Sequence, residues 1–324
     1  MKKILITICL LVFTVLSACS KVDDNKSKGD FKVISATGAP GLALAQMFSA
    51  NNLNYESINF TLEYKAGAND LAAAFGNGSA EAIVAPTNLG AKFYNSNGNY
   101  IYAANITWGN IYLATQTDSD FNLEYLTGKT VYTFRIGSVP YIVLQNVLEE
   151  YDVTLENLGD STSATQAKLI QNPSSIVMIA EPVLTVTKLK LQSEQQISNI
   201  KQIDIQKLYG EKNNTNNFPQ AGIFIKKDII DKNEGVVKYF LEKLKISCEF
   251  ANNNPSETVN YAKQLSELYS QPVNALISAM PNSNIRYTTA LDSKISLEKL
   301  FNIVLSNNAA ALGGKLPNND FYYS

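Results

Sequence analysis

The residues of this chain best suited to chemistry sit in a set of short loops of similar composition. Thr37-Gly38-Ala39-Pro40-Gly41 follows a strand-like run, Phe31 to Ser35, and opens an Ala/Leu-rich helical stretch. Gly67-Ala68-Asn69-Asp70, Ala85-Pro86-Thr87-Asn88, Gly137-Ser138-Val139-Pro140 and Glu181-Pro182 stand in the same position, after an apolar run and before a helical one. Each sets small, hydroxyl or amide residues, often with proline, at a helix start. Proline suits the first helical turn, and Ser, Thr and Asn cap its free N–H groups. Those N–H groups carry partial positive charge and attract an anion or a polar head group. Any one loop is either a tight strand-to-helix turn or a place where a ligand meets backbone. Several together, contributed by two units, favour a cleft. Thr37, Thr87 and Ser138 would offer hydroxyls, Asn69 and Asn88 amides, and Gly38, Ala39, Pro40 and Gly137 close approach to the backbone.

Four other side chains could act beside these loops. Arg135 ends "VYTFR", next to a helix start, where a guanidinium suits a carboxylate or sulfonate, or a surface ion pair. Arginine occurs at only one other position, Arg286. Trp108, in "NITWGN", is placed to stack on a ligand or to fill a core or hinge position. Glu181 could accept from a ligand amine or cap the helix after it. Asp70 reads as a helix-start charge.

Elements that would carry these loops alternate along the chain. Strand patterns at Lys32–Ser35, Asn59–Tyr64 and Ala82–Ala85 each precede a helical pattern, which argues for a parallel sheet covered by helices. Ile101–Ala104 and Ile111–Thr115 read as strands leaving this unit. A second α/β unit follows over roughly 117–205, with strands at Thr130–Phe134 and Ser175–Ala180. An Asn-rich loop over Asn213 to Gln220 leads back to a strand at Gly222–Lys226, and the remainder is mostly helical. Ser256 is placed as a helix N-cap. In open parallel sheets ligands bind beyond the carboxyl ends of the strands, where the loops above fall.

The bulk composition narrows the chemistry. The 324 residues are 45% hydrophobic and 17% charged, a globular balance with ample length for a core. Histidine is absent, which removes Ser-His-Asp hydrolysis, histidine-ligated zinc and imidazole base catalysis. Of three cysteines, Cys248 stands alone in a helical segment and reads as a small buried hydrophobe. No cofactor and no metal are expected. Lys2 and Lys3 precede an apolar run from Ile4 to Leu16 and then Leu16-Ser17-Ala18-Cys19, the pattern of a secretory signal too short to span a membrane. The small residues before Cys19 resemble a bacterial lipobox, which implies lipidation of Cys19 and anchoring on the extracytoplasmic face of the cell membrane. Residues 1–18 are then a signal peptide and 19–30 a lipidated tether. Without Lys2 and Lys3, 25 basic residues face 29 acidic ones, so no basic field points to nucleic acid.

Taken in order, "ATGAPGLALAQM", "GANDLAAAFGNGSAEAIVAPTNLGA", "LTGKTVYTFRIGSVPYIVLQNVLEEY", "IAEPV" and "FPQAGIFIKKDIIDKNEGVVKYFLEKLKIS" resemble the solute-binding proteins of ABC importers, of the nitrate/sulfonate/taurine and thiamine-pyrimidine-precursor type. The resemblance rests on the order and spacing of these segments across nearly the whole mature chain. It implies a type II periplasmic-binding-protein fold, in which two α/β lobes, each a mostly parallel sheet flanked by helices, are joined by two crossovers and close on a ligand. Lobe one would be 31–112 and 222–324, lobe two 113–221, with crossovers near Ile111–Thr117 and Phe218–Gly222. It further implies that Thr37, Gly38, Ala39, Thr87, Asn88, Gly137, Ser138 and Glu181 line the ligand. The partners implied are a small-molecule solute and an ABC permease with its ATPase, the protein itself being a monomer. An enzyme on this fold consumes one of its own histidines, and this chain has none. Two other readings remain: a carboxylate-dependent enzyme using Glu181 or Asp70, and a ligand-free surface interaction lipoprotein.

Overall fold

A computed structural model of the chain describes residues 29–49 and 52–324. The segments expected to be signal peptide and tether, with Cys19, lie outside the described residues except for Gly29 and Asp30. From Asp30 the chain alternates strand and helix: β1 (Asp30–Ala36), α1 (Ala39–Phe48), β2 (Asn59–Lys65), α2 (Ala68–Asn77), β3 (Ala82–Pro86), α3 (Thr87–Asn97) and β4 (Tyr100–Trp108). Gly109 and Asn110 then carry it into a second unit. That unit holds β5 (Ile111–Gln116), β6 (Lys129–Thr133), α4 (Val139–Leu148), β7 (Val153–Asn157), α5 (Thr162–Gln171), β8 (Ile176–Ala180), α6 (Val183–Gln195), β9 (Ile200–Asp204) and α7 (Ile205–Asn213). The chain returns through residues 214–218 to β10 (Pro219–Lys226), α8 (Lys227–Lys232), α9 (Glu234–Asn253), α10 (Pro255–Leu265), α11 (Val273–Ala279), β11 (Ile285–Thr289) and α12 (Ala290–Asn308).

Two sheets result, ordered β11-β4-β10-β3-β1-β2 and β7-β6-β8-β5-β9. The pairs β1–β2, β1–β3, β6–β7 and β6–β8 are parallel. In each sheet a strand that leaves a crossover is inverted: β10 lies antiparallel between β3 and β4, and β5 between β8 and β9, while the edge strand β11 is also antiparallel to β4. The sheets are thus mixed: four of six strands in the first and four of five in the second run one way, with β10, β11 and β5 reversed. A strand starting at the crossover must run away from the edge where its neighbours end.

The crossovers fall a few residues earlier than the sequence placed them. Ile111 and Tyr112 pair with Ala180, Ile179 and Asp204 and so belong to the second sheet, while Pro219 and Ala221 pair with Trp108, Thr107 and Pro86 in the first. An unbroken buried run from Tyr100 to Thr115 hides the boundary, marked only by Gly109. The helix after Asn253 is capped differently from the expectation. Asn254 is the N-cap of α10, and Ser256 lies inside its first turn behind Pro255.

Buried apolar residues form three clusters. One lies over the first sheet between α1 and α9 and contains Phe31, Leu42, Phe240 and Leu244. Cys248 belongs to it, 1% exposed, as a small hydrophobe. A smaller one backs the second sheet. The largest is shared by both units: Phe75, Tyr102 and Phe224 from the first join Val131, Ile142 and Met178 from the second through Leu297, Leu300 and Phe301 of α12. The lobes therefore meet along two helix pairs, α4 with α12 and α6 with α11.

Candidate functional site

Gly109 is the knot of the hinge. Its N–H donates to the Phe218 carbonyl at 2.9 Å and to Asn217 Oδ1 at 3.1 Å. Its carbonyl accepts from the side-chain amides of Asn217 and Asn284. A Cβ at Gly109 would lie 2.4 Å from the Phe218 ring, so only glycine lets the two crossovers approach this closely. Asn110 continues the tie. Its N–H donates to Gln220 Oε1 at 3.2 Å, its side chain donates to the Glu181 carbonyl at 3.3 Å, and its carbonyl accepts from the Glu181 N–H at 3.1 Å. The Ile111 N–H donates to Gln206 Oε1 at 2.8 Å. Strand ends from both sheets are thus fixed around residues 108–111.

Trp108 sits at this hinge, 5% exposed. Its backbone N–H donates to the Asn284 carbonyl, and the Arg286 guanidinium lies 4.2 Å from its ring centroid. One ring face is thus already occupied by a cation. Glu181 is 4% exposed, and both of its carboxylate oxygens accept from Thr185, from the backbone N–H at 3.0 Å and from the hydroxyl at 2.7 Å. Burial pushes its carboxyl above the usual range, and the Thr185 bonds, Lys188 and Asn282 oppose that shift. Glu181 lies one residue before Pro182, the N-cap of α6, and its carboxylate holds the Thr185 N–H and hydroxyl of the first helical turn.

The first loop is packed by two tyrosines. Gly38 has φ 78°, and its carbonyl accepts from the Tyr269 hydroxyl at 3.0 Å. The Gly41 carbonyl accepts from the Tyr64 hydroxyl at 3.1 Å. Ala39 is buried, Pro40 stands in the first turn of α1, and the Thr37 N–H donates to the Lys65 carbonyl. Thr87 is fully buried, with its hydroxyl donating to the Pro219 carbonyl, and Asn88 reaches the Ala311 carbonyl at 3.5 Å. In the second lobe Ser138 caps α4 by accepting from the Tyr141 N–H. Gly137 has φ 78°, and a Cβ there would meet the Asn308 amide of α12 at 2.8 Å.

Trp108 and Glu181 are therefore brought together through Asn110, and Gly137 meets lobe one through α12. Of the predicted residues only Trp108 and Glu181 take part in the hinge hydrogen bonds; the others bond elsewhere or are placed by packing, and Asn69 and Arg135 reach neither the hinge nor the other lobe. Asn69 is exposed on the first turn of α2. Arg135, at φ 49°, donates through Nε to the Asp160 carbonyl at 3.0 Å, and desolvation lowers its pKa against the pull of Asp160. Sequence reasoning missed Asn110, Gln206, Asn284 and Arg286. The rarity of arginine was the one available signal for Arg286, and nothing in the others' sequence context marks them.

A cavity of about 490 Å³ opens beside the hinge, lined by Asp204, Gln206, Lys207, Asn217 and Asn284 among others. Another of about 1110 Å³ lies against Tyr94, Lys227, Lys294 and Tyr322 of lobe one. None of the loop residues named from the sequence lines either. Among the described residues no three His, Cys, Asp or Glu side chains gather to hold a metal ion, and no helix is long and apolar enough to cross a membrane.

Two inverted-strand sheets joined by a double crossover have many solved counterparts. An ABC transporter protein from Parabacteroides distasonis superposes with a TM-score of 0.75 at 18% identity, covering 91% of this chain and 98% of that one. The chain has the periplasmic-binding-protein fold. The periplasmic aliphatic sulphonate binding protein SsuA from Escherichia coli shares this fold with a TM-score of 0.67 at 12% identity, over 90% of this chain and 93% of its own. The zinc-bound ligand-binding component of an ABC-type import system from Staphylococcus aureus shares it at 0.66 and 13%, over 91% and 96%. Neither a family model nor a curated protein sequence matches the chain. In this periplasmic-binding fold the strand ends of both lobes converge on the hinge just described.

Proposed function

We propose that the protein is the substrate-binding component of an ABC importer, capturing a small polar or anionic solute between its lobes and delivering it to a permease with its ATPase. The observation that carries this reading is the hinge. Two α/β lobes meet through the helix pairs α4–α12 and α6–α11 and are joined by two crossovers knotted at Gly109, where β4 of one lobe ends and β5 of the other begins. That geometry lets a ligand stabilise one lobe arrangement over another, which is how a receptor reports occupancy to a partner. The likeness to importer components supports it.

The finer parts of the reading follow from the leader. Cys19 carries the lipid, residues 20–29 tether the body, and the protein works as a monomer on the extracytoplasmic face of the membrane. Lobe one is taken as 30–108 with 219–324, and lobe two as 111–213. The loops at Thr37, Thr87, Gly137, Ser138 and Glu181 line the cleft, with Arg135, Asn69 and Asn88 at its margins. The chain does no catalysis in this reading. Native mass spectrometry of protein purified gently from cells grown in rich medium tests it. A retained small mass that leaves on denaturation is the expected result. No retained mass, together with no thermal shift from sulfonates, nitrate or pyrimidines, favours a ligand-free interaction protein.

A further inference from the structure

Arg286 is the one arginine of this chain whose charge has no partner among the described residues. Arg135 is tied to Asp160, whereas Arg286, an exposed residue of β11, is shifted only by partial desolvation, with no hydrogen bond or charged neighbour contributing. Its placement is built by the backbone. β11 pairs with β4 through Ile285 with Thr107 and Thr288 with Asn105, so the ladder gains one residue across Arg286 and Tyr287. Such a bulge re-aims a side chain. Asn284, at φ 49°, anchors the start of the strand to Trp108 and Gly109. The guanidinium is thereby laid on Trp108 at the point where the chain passes between lobes.

A second observation lies at the same place. Ten buried side-chain polar atoms among the described residues lack a hydrogen-bond partner, and four of them fall within residues 105–110: Asn105 Oδ1, Thr107 Oγ1, Trp108 Nε1 and Asn110 Oδ1. All four residues are at most 5% exposed. Buried polar groups left unpaired are costly, and their concentration at one strand end marks a place where something polar completes them. The end of β4 is also where a ligand meets such a sheet.

We infer that Arg286, placed over the Trp108 ring at the β11 bulge, recognises the anionic head of the solute at the hinge and so sets charge specificity. Stacking on an indole leaves the N–H edge of a guanidinium open, and that edge matches the two oxygens of a carboxylate or sulfonate. An anion binding there draws on a residue of lobe one beside the crossover, where it would favour one lobe arrangement. This inference rests on the solute-receptor reading and sharpens it to one residue that the loop pattern did not contain.

The chain has a single tryptophan, so its indole emission reports on Trp108 alone. The test titrates purified protein, freed of retained solute, with acetate, methanesulfonate, taurine and sulfate against chloride at equal ionic strength. Emission and melting temperature are followed for wild type, Arg286→Gln and Arg286→Lys. Retained solute is identified in parallel by native mass spectrometry. The expected result is a saturable emission change with at least one oxyanion, weakened at least tenfold in Arg286→Gln and partly restored in Arg286→Lys. Arg286→Gln breaks no hydrogen bond or ion pair and loses only the stacking on Trp108, so it should melt close to wild type. If wild type and Arg286→Gln retain the same solute equally, the role of Arg286 is overturned while the receptor reading stands. If no solute is retained and no oxyanion moves the emission, both are overturned.

Discussion

Replacing Gly41 with alanine separates two explanations for the small residues after β1. At an open helical position the change would stabilise, because alanine favours helix over glycine by about 1 kcal/mol. Gly41 is not open. A Cβ there would lie 2.0 Å from the Tyr269 hydroxyl, 2.7 Å from a Tyr64 ring carbon and 3.1 Å from the Ala36 carbonyl. The first contact is about 1.5 Å inside comfortable separation. Both tyrosines are held by the loop itself, Tyr269 through Gly38 and Tyr64 through Gly41, and Tyr269 is 2% exposed. Moving a ring adds overpacking of about 1–3 kcal/mol and loses a hydrogen bond of about 1 kcal/mol, offset by the helix gain. The net expectation is destabilisation of about 2 kcal/mol, a fall in Tm of about 3 °C for a chain of this size. In a Tyr269→Phe background the clashing oxygen is gone, so the same change should cost about 1 kcal/mol less, a coupling that a double-mutant cycle reads by thermal melts. An unchanged or raised Tm in Gly41→Ala, with solute binding lost, would refute the packing argument and return the loop to the ligand.

Other expectations concern the hinge, the cap, the buried carboxyl and the thiol. Gly109→Ala should destabilise by about 1–3 kcal/mol, because its Cβ meets Phe218 and Asn217, and equilibrium denaturation would show otherwise if the side chains simply rotate aside. Ser138→Ala removes the α4 cap and should cost about 1 kcal/mol by chemical denaturation. Glu181 holds its proton more tightly folded than unfolded, so wild-type stability is full below the unfolded pKa and falls as pH rises through the raised one. Relative to wild type, Glu181→Gln should therefore gain in Tm as pH rises from about 4 to about 7, and a gap independent of pH would sink the assignment. Cys248 is buried with its thiol pKa pushed up, so maleimide should label it only in denaturant, as peptide mapping would show, and Cys248→Ser should cost about 1–3 kcal/mol.

The sequence alone determined the repeating strand–loop–helix units, because their central strands are buried on both faces and read as short apolar runs, as in AIVAP and IVMIA. It also located the glycine, proline and serine punctuation before α1, α3 and α4. It did not reveal β7, β9 and β11, which are edge strands, and edges carry polar residues that erase the apolar run. The tertiary structure decided where the lobes join, since Gly109 matters only through Phe218 and Asn217, more than 100 positions along the chain. It also engaged the Thr87 hydroxyl with Pro219 and the Glu181 carboxylate with Thr185, bonds that composition cannot announce. Arg286 on Trp108 belongs to the same class. A local pattern can mark a side chain able to bind, but only strand pairing between distant segments decides whether it is already satisfied.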